Sequence, residues 1–281
     1  MRKKHFNIPV FLPELACPHR CVFCDQEKIS GTRGIPDPAE VKDIIERHLQ
    51  TLPPDAEINI AFFGGSFTGL PLSMQKTYLA LAYEYVKTGR VEALRISTRP
   101  DYINSEILAL LKTYRVKTIE LGAQSFDDEV LKLSQRGHTA QDIRRASKLI
   151  IENAFSLGLQ MMIGLPGDTP EKALYTAREI VAAGADNTRI YPALVLKNTA
   201  MARMYNEGKY QALALEQAVQ ITKELTMIFE AGGVKILRTG LHPSEELNYG
   251  RSLIAGPYHP SFKELVLSSR LKDTLAGLFE K

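Results

Sequence analysis

Cys17, Cys21 and Cys24 stand within eight residues as C-P-H-R-C-V-F-C, and they are the only 3 cysteines in 281 residues. Three thiolates on one short loop can hold three irons of a cuboidal [4Fe-4S] cluster and leave the fourth without a protein ligand, free to bind and reduce another molecule. A zinc site completed by His19 is the alternative. His19 lies inside the same tight loop beside Pro18, where its ring would struggle to close a tetrahedron with the flanking cysteines, so a solvent-facing His19 is expected. An odd, closely spaced set also argues for metal or redox chemistry in a reducing compartment rather than for a disulfide framework.

Further candidates fall in short motifs downstream. Phe63-Gly64-Gly65-Ser66-Phe67-Thr68 joins two glycines, which let backbone groups approach a ligand with no Cβ in the way. Ser97-Thr98-Arg99-Pro100-Asp101, Glu120-Leu121-Gly122-Ala123-Gln124-Ser125 and Arg136-Gly137-His138-Thr139 follow in order, and then Gln160-Met161-Met162-Ile163-Gly164 and Ile190-Tyr191-Pro192-Ala193-Leu194-Val195. Met161 and Met162 read as core filling. His138 is either an acid or base or a loop stabiliser, and Tyr191 either a radical relay and stacking platform or a half-buried packing residue.

Cys-x-x-x-Cys-x-x-Cys, with Phe23 just before the last cysteine, resembles the signature of radical S-adenosylmethionine (radical SAM) enzymes. Across residues 58 to 201 the ordered motifs resemble the radical SAM domain of the Elongator catalytic subunit, a transfer-RNA-modifying enzyme, and more distantly oxygen-independent coproporphyrinogen oxidase. The resemblance implies a [4Fe-4S] cluster on Cys17, Cys21 and Cys24 and S-adenosylmethionine as cofactors, with a 5′-deoxyadenosyl radical that abstracts hydrogen from the substrate. It implies that Gly64, Gly65 and Ser66 meet the methionine amino group, that Gln124 and Gln160 face the ribose hydroxyls, and that Arg136 pairs with the methionine carboxylate. By the same resemblance Phe23, Ser97 and Leu194 line the cofactor, and Arg136 and Tyr191 join the cysteines in catalysis.

Two positions depart from the pattern: Ser97 stands where both relatives have Glu, and Gln160 where the coproporphyrinogen enzyme has Asp. The implied substrate is a tRNA wobble uridine, and the implied reductant a flavodoxin or ferredoxin. The alternatives are a small-molecule, tetrapyrrole-like dehydrogenase or decarboxylase, and a non-catalytic iron–sulfur protein. After the barrel about forty residues remain, fewer than an acetyltransferase domain needs, so that domain is not expected here.

These motifs need elements to position them. Apolar, β-branched runs ending in Gly or Pro, near residues 7–13, 57–63, 93–99, 117–123, 157–163, 186–195 and 234–241, alternate with helical periods, the pattern of βα units around a parallel sheet. Their near-continuous apolar character, as in Ile58 to Phe63, suits strands covered on both faces. Asp37-Pro38-Ala39-Glu40 predicts a capped helix to about Leu52. Ser73 opens a helix with Met74, Tyr78, Leu81, Ala82 and Tyr85 inward, and Thr139 one with Ile143, Ala146 and Ile150 inward. Leu215, Ala218, Val219, Thr222, Leu225 and Phe229 repeat the pattern. Ser261 and Glu264 form a capping box before a final helix whose Phe262, Leu265, Leu271, Leu275 and Leu278 pack back on the barrel.

The expected fold is therefore α/β: a partial (β/α)6 TIM-type barrel of the radical SAM kind, open on one side, with a C-terminal strand and closing helix. Each motif then lies at the carboxyl edge, where such barrels build active sites. Residues 1–281 read as one domain, core barrel about 6–231 and closing extension about 232–281. With 44% hydrophobic and 24% charged residues the chain buries an ordinary core, and a net charge of +3 permits a nucleic-acid partner without indicating one. Arg2, Lys3, Lys4 and Arg20 are either phosphate contacts or a solvated basic tail. Pro9 and Pro13 break the first apolar run and no stretch reaches a membrane span, so a cytoplasmic protein without membrane contact is expected.

Overall fold

Seven parallel strands, neighbours in chain order, curl into one sheet whose first and last strands do not pair among the described residues, so the barrel is open between them. The computed structural model describes residues 4–12, 21–25, 34–241, 247 and 251–279. Along the chain come β1 (His5–Leu12), α1 (Pro38–Thr51), β2 (Glu57–Gly64), α2 (Leu72–Lys87), β3 (Ala93–Thr98), α3 (Ser105–Thr113), β4 (Val116–Gln124) and α4 (Asp128–Leu133). Then follow α5 (Ala140–Glu152), β5 (Ser156–Ile163), α6 (Pro170–Ala182), β6 (Asn187–Pro192), β7 (Val195–Leu196), α7 (Ala200–Asn206), α8 (Leu215–Ala231), β8 (Lys235–Thr239), β9 (Leu253–Ala255) and α9 (Phe262–Phe279). This is the expected partial TIM-type barrel, with its added C-terminal strand, β8, and its final helix.

The strands are two-faced rather than apolar throughout. Ile8, Val10, Ile60, Phe62, Ile96, Leu121 and Leu159 point outward into one core with Ile45, Leu79, Leu111, Ile143, Ile180 and Phe229 of the helices. Each such side chain contributes roughly 1.5–3 kcal/mol on burial. The alternate residues Asn59, Arg95, Glu120 and Gln160, with Arg189, line the inside, because successive side chains of a strand point to opposite faces. The register keeps them together: Ala61 pairs with Arg95, Ser97 with Glu120 and Gln160 with Arg189. Val195 and Leu196 leave the sheet to pair antiparallel with β9, so β6 stops at Pro192, short of the expected 195.

Helix starts follow the sequence where a side chain can cap. Asp37 accepts the Glu40 N–H and Glu40 accepts the Asp37 N–H, both at 2.8 Å, and Thr139 closes a second box with Asp142. Two expectations need correction. α2 begins at Leu72 after Pro71, without a side-chain cap, and buries Gln75, Tyr78, Leu79, Ala82 and Val86, leaving Met74, Leu81 and Tyr85 at the margin. At α9 the Ser261 N–H donates to His259 Nδ1 at 3.1 Å. Phe262 and Val266 are buried there, but Leu271 is 60% and Leu275 45% exposed, so they do not pack on the barrel. Leu278 lies outside the described side chains.

Candidate active site at the carboxyl edge

β1 delivers the cysteine loop. Cys17 lies outside the described residues, as do Arg2, Lys3, His19 and Arg20, so two of the three thiols are seen. The Cys24 N–H donates to the Cys21 carbonyl at 3.0 Å, folding the two thiols onto one turn. Val22 between them is fastened on both sides: its N–H donates to Ser134 O at 3.2 Å and its carbonyl accepts the Met201 N–H at 2.8 Å. Val22 and Phe23 are buried among Val130, Leu165, Ala193 and Met201. Cys21 to Cys24 therefore rest on an apolar floor.

Arg136 is brought to this loop by the turn after α4, where Gln135 and Gly137 both take positive φ. It is buried, and its Nη1 donates to Cys21 Sγ at 3.1 Å while Nη2 donates to Gly122 O at 2.5 Å. Behind it Arg99, held by Asp101 through two bonds of 2.9 Å, donates to the Arg136 carbonyl at 2.5 Å. His138 is buried beside them. Burial first, then the Arg136 and Arg99 charges, bring its pKa down to about 3, so the ring is neutral.

β4 ends in a bulge: Gly122 pairs with Gln160 and Gln124 with Met161, leaving Ala123 over. A bulge re-aims the next side chain, and Gln124 takes φ 69, a left-handed conformation uncommon for a residue with a Cβ. Among the described residues its buried Oε1 has no partner, and neither do Arg136 Nε and Ser97 Oγ. On β2, Gly64 has φ +101, and a Cβ there would lie 3.0 Å from Leu12 O, while the Gly65 N–H donates to that same oxygen at 2.7 Å. The glycine pair thus locks β2 to β1 just before the cysteine loop departs. Ser66 is buried.

Gln160, Tyr191 and Leu194 are placed differently. Gln160 Nε2 lies 3.4 Å from Glu120 Oε2 inside the barrel. Glu120 also accepts from Arg95 at 2.5 Å and from Arg189 Nε at 2.7 Å. Burial pushes the Glu120 carboxyl up, but Arg189 and Arg95 outweigh it and hold the group below its usual range. Burial pushes the neighbouring Tyr191 phenol up. Leu194 packs with Leu196, Leu247 and Leu253. Sequence reading missed Arg95, Glu120 and Arg189 as a unit; the signal available was a charged residue at the inward position of β3, β4 and β6.

The family model described as the Radical SAM superfamily matches residues 15–180, and one described as the Radical_SAM C-terminal domain matches 185–273. The chain belongs to the radical SAM superfamily. A curated relative, the tRNA uridine(34) acetyltransferase of Methanocaldococcus infernus, is 24% identical over 257 residues, covering 76% of this chain and 48% of its own length. The chain thus spans about half of that relative. Among solved structures, archaeal Methanocaldococcus infernus Elp3 with an N-terminal deletion aligns over 98% of this chain and 64% of its own, at TM-score 0.76 and 22% identity. Escherichia coli coproporphyrinogen III oxidase (HemN) aligns over 82% and 53%, at TM-score 0.57 and 18% identity. Both share the fold.

As a radical SAM enzyme the chain uses a [4Fe-4S] cluster and S-adenosylmethionine. Its residues fit that pair. Thiols are the ligands such a cluster takes, and Gln124 Oε1, Arg136 Nε and Ser97 Oγ, partnerless among the described residues, are polar capacity left unused at the carboxyl edge of the same sheet.

Proposed function

We propose that this radical SAM enzyme modifies a carbon of a tRNA nucleoside, the wobble uridine. The observation that carries the reading is the junction of Arg136 with Cys21 at the bulged end of β4, a constellation on the same barrel as the Elp3 structure. The acetyltransferase relative, named for uridine 34 of tRNA, supports the substrate. Cys17, Cys21 and Cys24 hold the cluster, whose chemistry when bound with S-adenosylmethionine is hydrogen abstraction through a 5′-deoxyadenosyl radical.

The chain's own residues do the positioning. Arg136 orients Cys21 and presents Nε to an anionic group, while Gln124, turned by the bulge, and Ser97 offer hydrogen bonds to the nucleotide. Gly64 and Gly65 fix the strand end, Ser66 follows them into the same edge, and Phe23 with its apolar floor keeps water from beneath the loop. Gln160 and Tyr191 face the lumen rather than the cysteines, and serve the substrate. Leu194 supports the wall. A flavodoxin or ferredoxin supplies the electron, in the reducing cytoplasm that the cysteine usage suits. Among the described residues no helix is long and apolar enough to cross a membrane. The chain works as one unit, residues 1–281, since β8 from the second matched stretch completes the sheet begun in the first.

The test is anaerobic. Reconstituted, reduced protein with S-adenosylmethionine is expected to release 5′-deoxyadenosine, and Cys24→Ala to abolish the release. Nucleosides from cells lacking the protein are expected to show an altered wobble-uridine profile by mass spectrometry; an unchanged profile removes the tRNA substrate.

A further inference from the structure

In the layer around Glu120, the described residues inside the barrel carry more positive charge than that carboxylate can balance. Glu120 on β4 is shared by Arg95 of β3 and Arg189 of β6. In register beside Arg189, on the neighbouring strand, stands Arg238 of β8. Parallel partners at one register face the same side, so Arg238 shares the lumen, and its charge is felt at the Tyr191 phenol. Three guanidiniums then face one carboxylate. No acidic side chain pairs with Arg238 among the described residues, and like charges on adjacent positions of neighbouring strands repel.

A further donor in this layer is also unsatisfied. Arg95 Nε, a donor, is buried and has no hydrogen-bond partner among the described residues. Tyr191 follows Arg189 by two residues on the same face of β6, so its phenol stands beside that guanidinium and can donate its proton to a group bound there. The layer is reachable. β8 is the last strand of the sheet, bordering the open side, and Arg238 lies one residue before its carboxyl end at Thr239 while being only partly buried. Arg189 lies three residues inside the end of β6, about 10 Å below the edge.

We propose that this layer binds an anionic group carried by the substrate, a carboxylate or a phosphate, gripped by Arg238 and Arg189 with the Tyr191 hydroxyl as a third donor. The proposal rests on the reading that the reaction takes place at the carboxyl edge above it. Glu120 holds Arg95 and Arg189 in place; Arg238 has no such acidic partner among the described residues, and Arg189 beside it keeps donors to share with a bound group. A group entering along the open side meets Arg238 first and settles beside Arg189. The site therefore selects substrates with a negative group about 10 Å from the reacting carbon, the depth set by strand rise.

The test is calorimetric titration of the full-length, cluster-loaded protein without S-adenosylmethionine, using inorganic phosphate and acetate against chloride at constant ionic strength. At least one of the two is expected to bind saturably. Preference for phosphate assigns the group to a nucleotide, and preference for acetate to a carboxylic acid. Arg238→Gln is expected to weaken binding about tenfold or more, the size of a lost charge-assisted pair, and Arg238→Lys to restore part of it. Absence of binding beyond chloride, or an Arg238→Gln protein that binds like the parent, overturns the proposal. Because no S-adenosylmethionine is present, that outcome leaves the 5′-deoxyadenosine test untouched, and failure of that test leaves this titration readable.

Discussion

Arg136 divides its guanidinium between a sulfur and a carbonyl, and the two acceptors ask different things of it. The bond to Gly122 O fixes the bulged end of β4, whereas the bond to Cys21 Sγ places a charged donor on a thiol that the proposed function assigns to the cluster. Hydrogen bonds to thiolate sulfur favour the more negative, reduced state and raise the potential of an iron–sulfur centre. Arg136→Gln is accordingly expected to shift the cluster midpoint to more negative values in an EPR-monitored redox titration; an unchanged midpoint would show that the Nη1 contact does not persist with the cluster in place. His138, beside it, is a stability device. An unfolded histidine titrates at its ordinary 6.5 and the folded one at about 3, so below pH 6.5 only the unfolded chain gains the proton. Stability is fully present above that value and falls as pH drops. The loss is about 2 kcal/mol by pH 5. Burial of Asp168, whose pKa is raised to about 6, works in the opposite direction, giving stability below 3.8 that is lost as pH rises through 6. His138→Gln is therefore expected to remove the acid-side decline, so that urea denaturation of the metal-free variant shows stability level or rising from pH 7 to pH 5. Part of this residue scale was legible: the motifs singled out Cys21, Cys24, Arg136 and Gln124, and Arg136 meets both Cys21 and the β4 end that carries Gln124. What Arg136 touches was not, because its two acceptors come from Cys21 and Gly122, 115 and 14 residues away.

Elements were readable where local chemistry decides them. Strand starts and ends fell within a few residues because Gly and Pro punctuate them, and α1 and α5 began where a side chain could cap. α2 shows the limit: Ser73 looked like a cap, but Pro71 occupies that place, and the buried stripe turned with the start. α9 shows another. Its leucines recur at helical spacing, and periodicity says that a stripe exists without saying which stripe meets the barrel. Phe262 is 2% exposed and sits against Gly240, where a Cβ would lie 3.0 Å from its own. Phe262→Ala is expected to cost about 3–5 kcal/mol in chemical denaturation, and Leu271→Gln to stay within about 0.5 kcal/mol. Comparable losses from the two substitutions would mean that the outer leucines of α9 are covered after all.

At the scale of the whole molecule the sheet separates two environments, an oily outer face under the helices and a charged inner face that the sequence, read as continuous apolar strands, did not announce. Gly158 shows how closely the inner face is fitted: a Cβ there would come within 2.7 Å of Asn187 Oδ1 and 2.8 Å of Glu120 Cγ. Glu120 is the point where this half of the barrel converges, since its carboxylate binds side chains from β3, β5 and β6 while its backbone belongs to β4. Two arginines desolvated beside one carboxylate are tolerated only while the carboxylate remains. Glu120→Gln leaves both guanidiniums buried with no counter-charge, and breaking a buried pair in this way costs about 3–5 kcal/mol. The folded carboxyl titrates below its ordinary 4.5, so its contribution is complete above that value and fades as pH falls through the lower, folded one. Urea denaturation at pH 7 should therefore show the full loss for Glu120→Gln, and the gap between parent and variant should narrow on acidification below pH 4.5. A loss under about 1 kcal/mol at pH 7 would mean that water entering from the open side, rather than Glu120, neutralises the arginines, and the four strands would then be held by their ladders and outer core alone.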